Sequence, residues 1–469
     1  MVRDKRIQTE TSTSKNCVTD LTTVTATELS SLYQSGAASP VTVAHQVLAK
    51  IEQLNPVLNA FCFTDPETTL KQARASEYRW QTGQPLSRLD GVPIAIKDSL
   101  LIQGWPTLHG SLAIDPKQLW TEDAPAVARL REAGAVFVGK TTMPEFAWGT
   151  TSTISQAHGT TVNPWNVRCS PGGSSGGSAV AVASSLVPVT IGTDMGGSIT
   201  VPGSFCGVFG YKPSAGKVAH SPRDALNIGT PGVFARSVTD LIATINIISS
   251  PDVTDWFHVP STEIKTDPDG QRNLPSIGLS TAVHTELRPV FEKIKDLWQT
   301  QPVETLQQFD LQLALEIFSN IVFPIQLHQW QTLTQEQQLI TEKHTQKTAI
   351  LAHVKSNLYH WLLQRTQFST LVNRHLHEFN VIAVPSTVTS AANVSCNITP
   401  DKNSENFSPW SILCAVVGLP SVTVPVGLDA QGLPVAVMII GPMHGDEMVL
   451  QVAQAIQKQF PMPDCTVIL

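Results

Sequence analysis

Apolar positions change their period several times along the chain. Between Leu29 and Leu54, Val43, Val47, Leu48 and Ile51 recur at helical spacing after the start signal Ser39-Pro40, and the stretch reads as helix. "DGVPIAIKD" (Asp90 to Asp98) is a short apolar run between breakers, a strand that ends on a lysine. In "DAPAVARLREAGAVFVGKT" (Asp123 to Thr141) an Asp near the start and Gly134 at the end bound a helix, and a strand, Ala135 to Val138, follows. "SAVAVASS" (Ser178 to Ser185) suits a closely packed helix and "VPVTIGT" (Val187 to Thr193) a buried strand. "VIAVPS" (Val381 to Ser386), "PSVTVPVGL" (Pro420 to Leu428) and "LPVAVMIIG" (Leu433 to Gly441) add strands near the C-terminus. Such alternation predicts an α/β fold: a central mixed β-sheet covered on both faces by helices.

Between about 250 and 379 the texture turns Gln-rich, His-rich and helical. Ile350, Leu351, Val354, Leu358, Trp361 and Leu362 mark one apolar face. Because strands resume after it, this segment reads as a helical insertion in a single domain of residues 21–469. Residues 1–20 read as a disordered tail, lacking the 7–15-residue apolar core of a secretory signal. No apolar run approaches the roughly 20 residues of a membrane span.

Composition narrows the partners. The 469 residues are 42% hydrophobic and 15% charged, enough for a sizeable core. A net charge of −7 without a basic stripe argues against nucleic acid and anionic membrane surfaces and for a small neutral or amphiphilic molecule. Seven scattered cysteines, an odd number without a C-x-x-C pair, read as reduced thiols of a cytoplasmic protein.

The candidate chemistry lies in "PGGSSGGSAVAVASSLVPVTIGTDMGGSITVPG" (Pro171 to Gly203), where two glycine-rich loops hold serines on either side of the predicted helix and strand. The helix descends roughly 12–15 Å at 1.5 Å per residue, and the strand returns roughly 20 Å at 3.3 Å per residue. Both loops therefore reach the same sheet edge, where open α/β sheets place their ligands, and Lys97 at the end of "PIAI" joins them. Glycines in "DMGGS" (Asp194 to Ser198) let consecutive amides converge into an anion nest, which for acyl transfer is an oxyanion hole. "GGSSGG" (Gly172 to Gly177) allows a serine to sit beside it. A serine nucleophile needs a base, and Lys97 serves when burial among Ile94 and Ile96 keeps it neutral.

These residues stand in blocks that resemble the amidase signature family. The blocks include "GVPIAIKDSLLIQGWPTLHGS" (Gly91 to Ser111), "NPWNVRCSPGGSSGGSAVAVAS" (Asn163 to Ser184), "GTDMGGSITVPGSFCGVFGYKPS" (Gly192 to Ser214) and "GLPSVTVPVGLDAQGLPVAVMIIG" (Gly418 to Gly441). The resemblance implies a Ser–cis-Ser–Lys amidase without cofactor or metal, acting on a small-molecule amide and yielding a carboxylate and ammonia or an amine. It places the base on Lys97, the cis-peptide serine on Ser174 and the nucleophile on Ser198, 24 residues further on. The oxyanion falls to the backbone amides of Met195, Gly196, Gly197 and Ser198. A homodimer is left open. The chain departs from the family at Met195, Thr200, Gly203 and Gly229, where threonine, arginine, alanine and aspartate are common. Thr200 bears most on function, because an arginine that would anchor the catalytic loop is missing.

Several rivals compete with this reading. Gly172 to Gly176 satisfies the G-x-S-x-G elbow of α/β-hydrolases, but the preceding "NPWNVRCSP" reads as turn rather than strand. An amidotransferase A-type subunit is an alternative, although the Gln-rich segment is not what that subunit leads one to expect. A non-catalytic docking protein should have lost a triad residue, and none is lost. The P-loop pattern is absent. His375 and His377 point in different directions on their helix, so no metal site is expected there. Trp105, His109 and Trp148 are candidates for an acyl pocket, with core packing the preferred role for each. Aryl, aliphatic, indoleacetamide-like and fatty amides all fit.

Overall fold

The computed structural model describes residues 20–149, 151–260, 262–265, 276–303, 309–346, 357–394, 408–465 and 467. The strands are β1 (Phe61–Thr64), β2 (Pro93–Lys97), β3 (Val136–Thr141), β4 (Ile154–Ser155), β5 (Gly159–Thr160), β6 (Val189–Asp194) and β7 (Phe209–Lys212). They continue with β8 (Thr230–Ala235), β9 (Ile277–Ser280), β10 (Thr300–Val303), β11 (Val381–Pro385), β12 (Ser421–Leu428) and β13 (Pro434–Ile440). Eleven of them form one sheet in the order β1-β3-β2-β6-β8-β7-β12-β13-β11-β9-β10, and β4 pairs with β5 apart from it. The sheet is mixed. Strands β3, β2 and β6 run parallel, β8 opposes both β6 and β7, and β11, β9 and β10 are parallel again.

The helices are α1 (Ala26–Ser35), α2 (Pro40–Leu58), α3 (Pro66–Gln81), α4 (Pro125–Glu132), α5 (Gly176–Ala183), α6 (Thr200–Cys206) and α7 (Val238–Ile248). After them come α8 (Arg288–Leu297), α9 (Leu311–Gln331), α10 (Gln335–Ile340), α11 (Leu358–Phe379), α12 (Pro409–Val417) and α13 (Asp446–Gln459). They cover both sheet faces, as strand alternation requires. In β13, Val437 and Ile439 join an apolar cluster with α2, α5, α7 and α13, whereas Met438 and Ile440 join a second cluster with α9, α11 and α12. Neighbouring β11 divides the same way, with Val381 and Ala383 in the first cluster and Ile382 and Val384 in the second.

Two expectations need amendment. The stretch read as one helix from Leu29 to Leu54 is two, because Gly36 takes a left-handed conformation (φ 72°) that ends α1, and the Ser39 side chain caps α2. The segment read as helical from about 250 to 379 also contributes the last two strands at one side of the sheet, β9 and the edge strand β10. Four-residue strands written "IGLS" and "TQPV" are too short to show a period. Of the six residues chosen for the apolar face of that segment, Ile350, Leu351 and Val354 lie outside the described residues. Trp361 and Leu362 of α11 pack against the second cluster. Of residues 1–20, read as a disordered tail, 1–19 also lie outside, and Asp20 is ordered as the cap of the Leu21–Thr23 turn, its side chain accepting the Thr22 amide at 3.0 Å.

Candidate active site

Parallel pairing of β2 with β6, Ile96 opposite Ile191, brings the carboxyl ends of both strands to one sheet edge. Lys97 ends β2 and Asp194 ends β6. Helix α5 precedes β6, so the loop at its N-terminus returns to that edge. The two glycine loops are bonded to each other there: the Ser175 amide donates to the Ser198 carbonyl at 3.3 Å. A Cβ on Gly173 would collide with the Ser152 carbonyl oxygen. Glycine therefore allows a close approach at this point. The Gly173–Ser174 peptide is cis.

Lys97 is fully buried, and its Nζ donates to Ser174 Oγ at 2.6 Å and to Thr193 Oγ1 at 3.0 Å. Burial drives its pKa down to about 7, against a smaller upward pull from the Asp194 carboxylate. Ser174 and Ser198 both line one cavity. The loop after β6 is organised by Asp194, whose Oδ1 accepts the Gly197 amide at 2.8 Å and whose Oδ2 accepts the Ile199 amide at 2.7 Å. Of the four amides expected to face an oxyanion, that of Gly197 is thus directed to Asp194. Gly197 holds φ 112°, a conformation that L side chains rarely adopt.

The G-x-S-x-G rival lacks its strand, since no strand directly precedes Gly172 among the described residues, and the partner of Ser174 is a lysine. An amidase family model matches residues 42–308 and 328–450. The chain belongs to the amidase family. Family membership makes it an amidohydrolase. Curated relatives include the A-type subunit of the glutamyl-tRNA(Gln) amidotransferase of Myxococcus xanthus, 30% identical over 94% of this chain and 98% of its own. Its counterpart in Chloroflexus aurantiacus is 29% identical over 94% and 97%. Coverage this broad extends through the Gln-rich segment. Among solved structures, the peptide amidase of Stenotrophomonas maltophilia superposes with a TM-score of 0.78 at 25% identity, covering 95% of this chain and 99% of its own. A 6-aminohexanoate cyclic dimer hydrolase shares the fold with a TM-score of 0.83 at 24% identity, over 94% and 98%.

Where other amidases commonly carry arginine, Thr200 is fully buried and enters a closed circuit of hydroxyls that sequence reading missed. Its Oγ1 shares a 2.6 Å hydrogen bond with Ser411 Oγ, which bonds Ser408 Oγ. Ser408 donates to the Ser386 carbonyl at 2.7 Å. The Ser386 hydroxyl bonds Thr423 Oγ1 at 2.7 Å, and Thr423 donates back to the Thr200 carbonyl at 3.0 Å. Residues from four segments, 223 positions apart at the extremes, thus hold the start of α6.

Asp98, the residue after Lys97, is a second feature that sequence reading missed. Its carboxylate accepts the Leu108 and Gly110 amides at 3.2 and 3.1 Å, pairs with Lys140 Nζ at 3.7 Å and meets His158 Nε2 at 3.2 Å. Burial would raise its pKa, but His158 and Lys140 together hold it below the usual value. Donor atoms of Cys62, Asp98 and His158 lie within 4.8 Å of one another. A cation held by them would compete with the buried Lys140 ammonium for Asp98, so the group reads as an ion-pair hub fixing the 108–110 turn beside Lys97.

Two of the three aromatic candidates, His109 and Trp148, line the cavity; Trp105 packs in the core against Phe63 and Phe137. Glu145, inconspicuous in sequence, is buried and accepts from Ser111 Oγ at 2.6 Å, the Glu342 amide at 2.8 Å and Thr345 Oγ1. It ties the loop after β3 to the segment after α10 at the cavity wall. Among the described residues no helix is long and apolar enough to cross a membrane.

Proposed function

We propose that this amidase hydrolyses a small-molecule carboxylic amide through an acyl-Ser198 intermediate, with Lys97 as base and Ser174 as relay. The carrying observation is the buried Lys97 amine 2.6 Å from Ser174 Oγ at the edge where Ser198 sits. Neutral Lys97 takes the Ser174 proton while Ser174 takes that of Ser198, whose Oγ attacks the amide carbon. The amides of Met195, Gly196 and Ser198 receive the oxyanion, with Gly197 and Asp194 bracing the loop. The proton returns through Ser174 to the leaving nitrogen, the C–N bond breaks, and water attacks the acyl-serine by the reverse route. No step calls for a metal or cofactor. We further propose a cytoplasmic location, in keeping with free thiols at Cys62, Cys169, Cys206, Cys414 and Cys465.

Ser198→Ala should lower turnover by at least about 10³-fold, the scale on which catalytic triad members act. A purified, folded variant that keeps a tenth of wild-type activity overturns the assignment. A second reading, an amidotransferase A-type subunit, is favoured by the names of the curated relatives. Copurification with partner proteins and glutamine-dependent transfer would establish it in place of free-standing hydrolysis.

A further inference from the structure

Resting on the hydrolytic reading above, we propose that the substrate amide carries an uncharged, apolar acyl group laid along helix α9, and that free glutamine is refused. The cavity above Ser198 has a volume of about 1360 Å³, more than a primary amide of a few atoms needs. Its longest apolar wall is one face of α9: Leu315, Phe318, Val322 and Ile325 follow at intervals of three and four residues, and all four line the cavity. The stripe starts at the reacting end. A Cβ on Gly196 would stand 2.6 Å from the Phe318 ring, so this ring lies directly against the oxyanion loop. From Phe318 to Ile325 the helix rises about 10 Å. One turn later His328 and Gln329, also at the cavity, are exposed to solvent. The groove thus runs from an apolar end at Ser198, where Met195 adds apolar surface, to an outer end where Trp148 packs with Leu327 and Trp330 beside exposed His328 and Gln329.

The charged side chains named around this cavity already hold hydrogen-bond partners. Arg223 is its sole lysine or arginine among the described residues, and the guanidinium is bound through Nε and Nη2 to both oxygens of buried Asp255. Its Nη1 lacks a partner but is itself buried. Asp224 accepts the Leu226, Ile228 and Gly229 amides, and Asp194 holds the catalytic loop. Glu145 is satisfied by its three donors, and Glu342 accepts the Gln156 amide at 2.7 Å. Free glutamine would bring an ammonium and a carboxylate into this space. Among the described residues a carboxylate there finds no lysine or arginine whose charge is unspent, and an unpaired buried charge is strongly unfavourable.

The test uses the purified full chain with acetamide, octanamide and L-glutamine, reading ammonia release, and with ethyl and octyl fluorophosphonates, reading the Ser198 adduct by mass spectrometry. Octanamide should exceed acetamide in kcat/KM by at least about 10²-fold, given about 0.8 kcal/mol per buried methylene. Glutamine should release no ammonia above background, and the octyl probe should label Ser198 faster than the ethyl probe. Ile325→Glu should cut the octanamide-to-acetamide ratio at least about tenfold, since it sets a charge against the chain. Ser198 labelling together with efficient glutamine hydrolysis, or with no preference for the longer chain, overturns the substrate class and leaves the hydrolytic reading standing. Failure of every probe to label Ser198 in folded protein takes both down.

Discussion

The hydroxyls of Thr200 and Ser411 stand 2.6 Å apart, both buried, and join the start of α6 to α12 two residues after the Ser198 position. A shared bond inside a closed circuit of hydroxyls holds the start of α6, after the proposed catalytic loop, where an arginine is missing. Thr200→Val, which keeps the shape and removes the hydroxyl, should cost about 1–3 kcal/mol in chemical denaturation and lower kcat more than it raises KM. Unchanged stability would mean that the circuit does not anchor the loop.

As the proposed base, Lys97 should set the pH dependence. With its pKa lowered to about 7, the neutral base is lost as pH falls through 7, so kcat/KM should drop about tenfold per unit below that point. A rate flat from about pH 5 to 9 would exclude lysine as the base.

Stability should follow the same group in the same direction. The folded pKa lies below the ordinary lysine value of 10.5, so the unfolded chain binds more protons between about 7 and 10.5, and stability rises with pH across that window. Lys97→Met removes this dependence along with activity. Melting curves of the variant and wild type should therefore converge as pH rises from 7 to 10; parallel curves would show that the amine titrates normally.

Asp194 acts at a distance from the reacting atoms, through the amides it holds and the charge it lends Lys97. Asp194→Asn should lower kcat by about 10-fold to 10²-fold, as for one lost oxyanion donor or less. Because its carboxylate raises the Lys97 pKa, the acid limb of the pH profile should also move to lower pH. A drop in kcat with an unmoved limb would leave Asp194 a purely structural role.

Glu145→Ala leaves Ser111 Oγ, the Glu342 amide and Thr345 Oγ1 without their acceptor. A stability loss of about 2–4 kcal/mol is expected from unpaired buried donors. Burial and Glu145 both raise the Glu342 pKa, so Glu342 should also titrate at lower pH in the variant, as followed by NMR.

Much of the site was legible because its elements are local. Strand "PIAIK" ends on Lys97, a small-residue helix and a strand separate Ser174 from Ser198, and chain geometry alone brings all three to one edge. The Thr200 circuit, the Asp98 hub and the Glu145 tie were not legible. Each unites polar residues from distant segments, and a serine or glutamate in sequence carries no sign of the donor that will face it.

By itself, the order of apolar runs and glycine breaks determined a mixed sheet clothed in helices and the place of the reactive edge, since both follow from backbone period and rise per residue. The tertiary structure alone decided that Lys97 meets Ser174 and Thr193, that Asp194 claims the Gly197 amide, and that α9 lays an apolar wall against Gly196. Hydrogen-bond partnership and cavity shape are set by side chains that meet only when the chain has closed on itself.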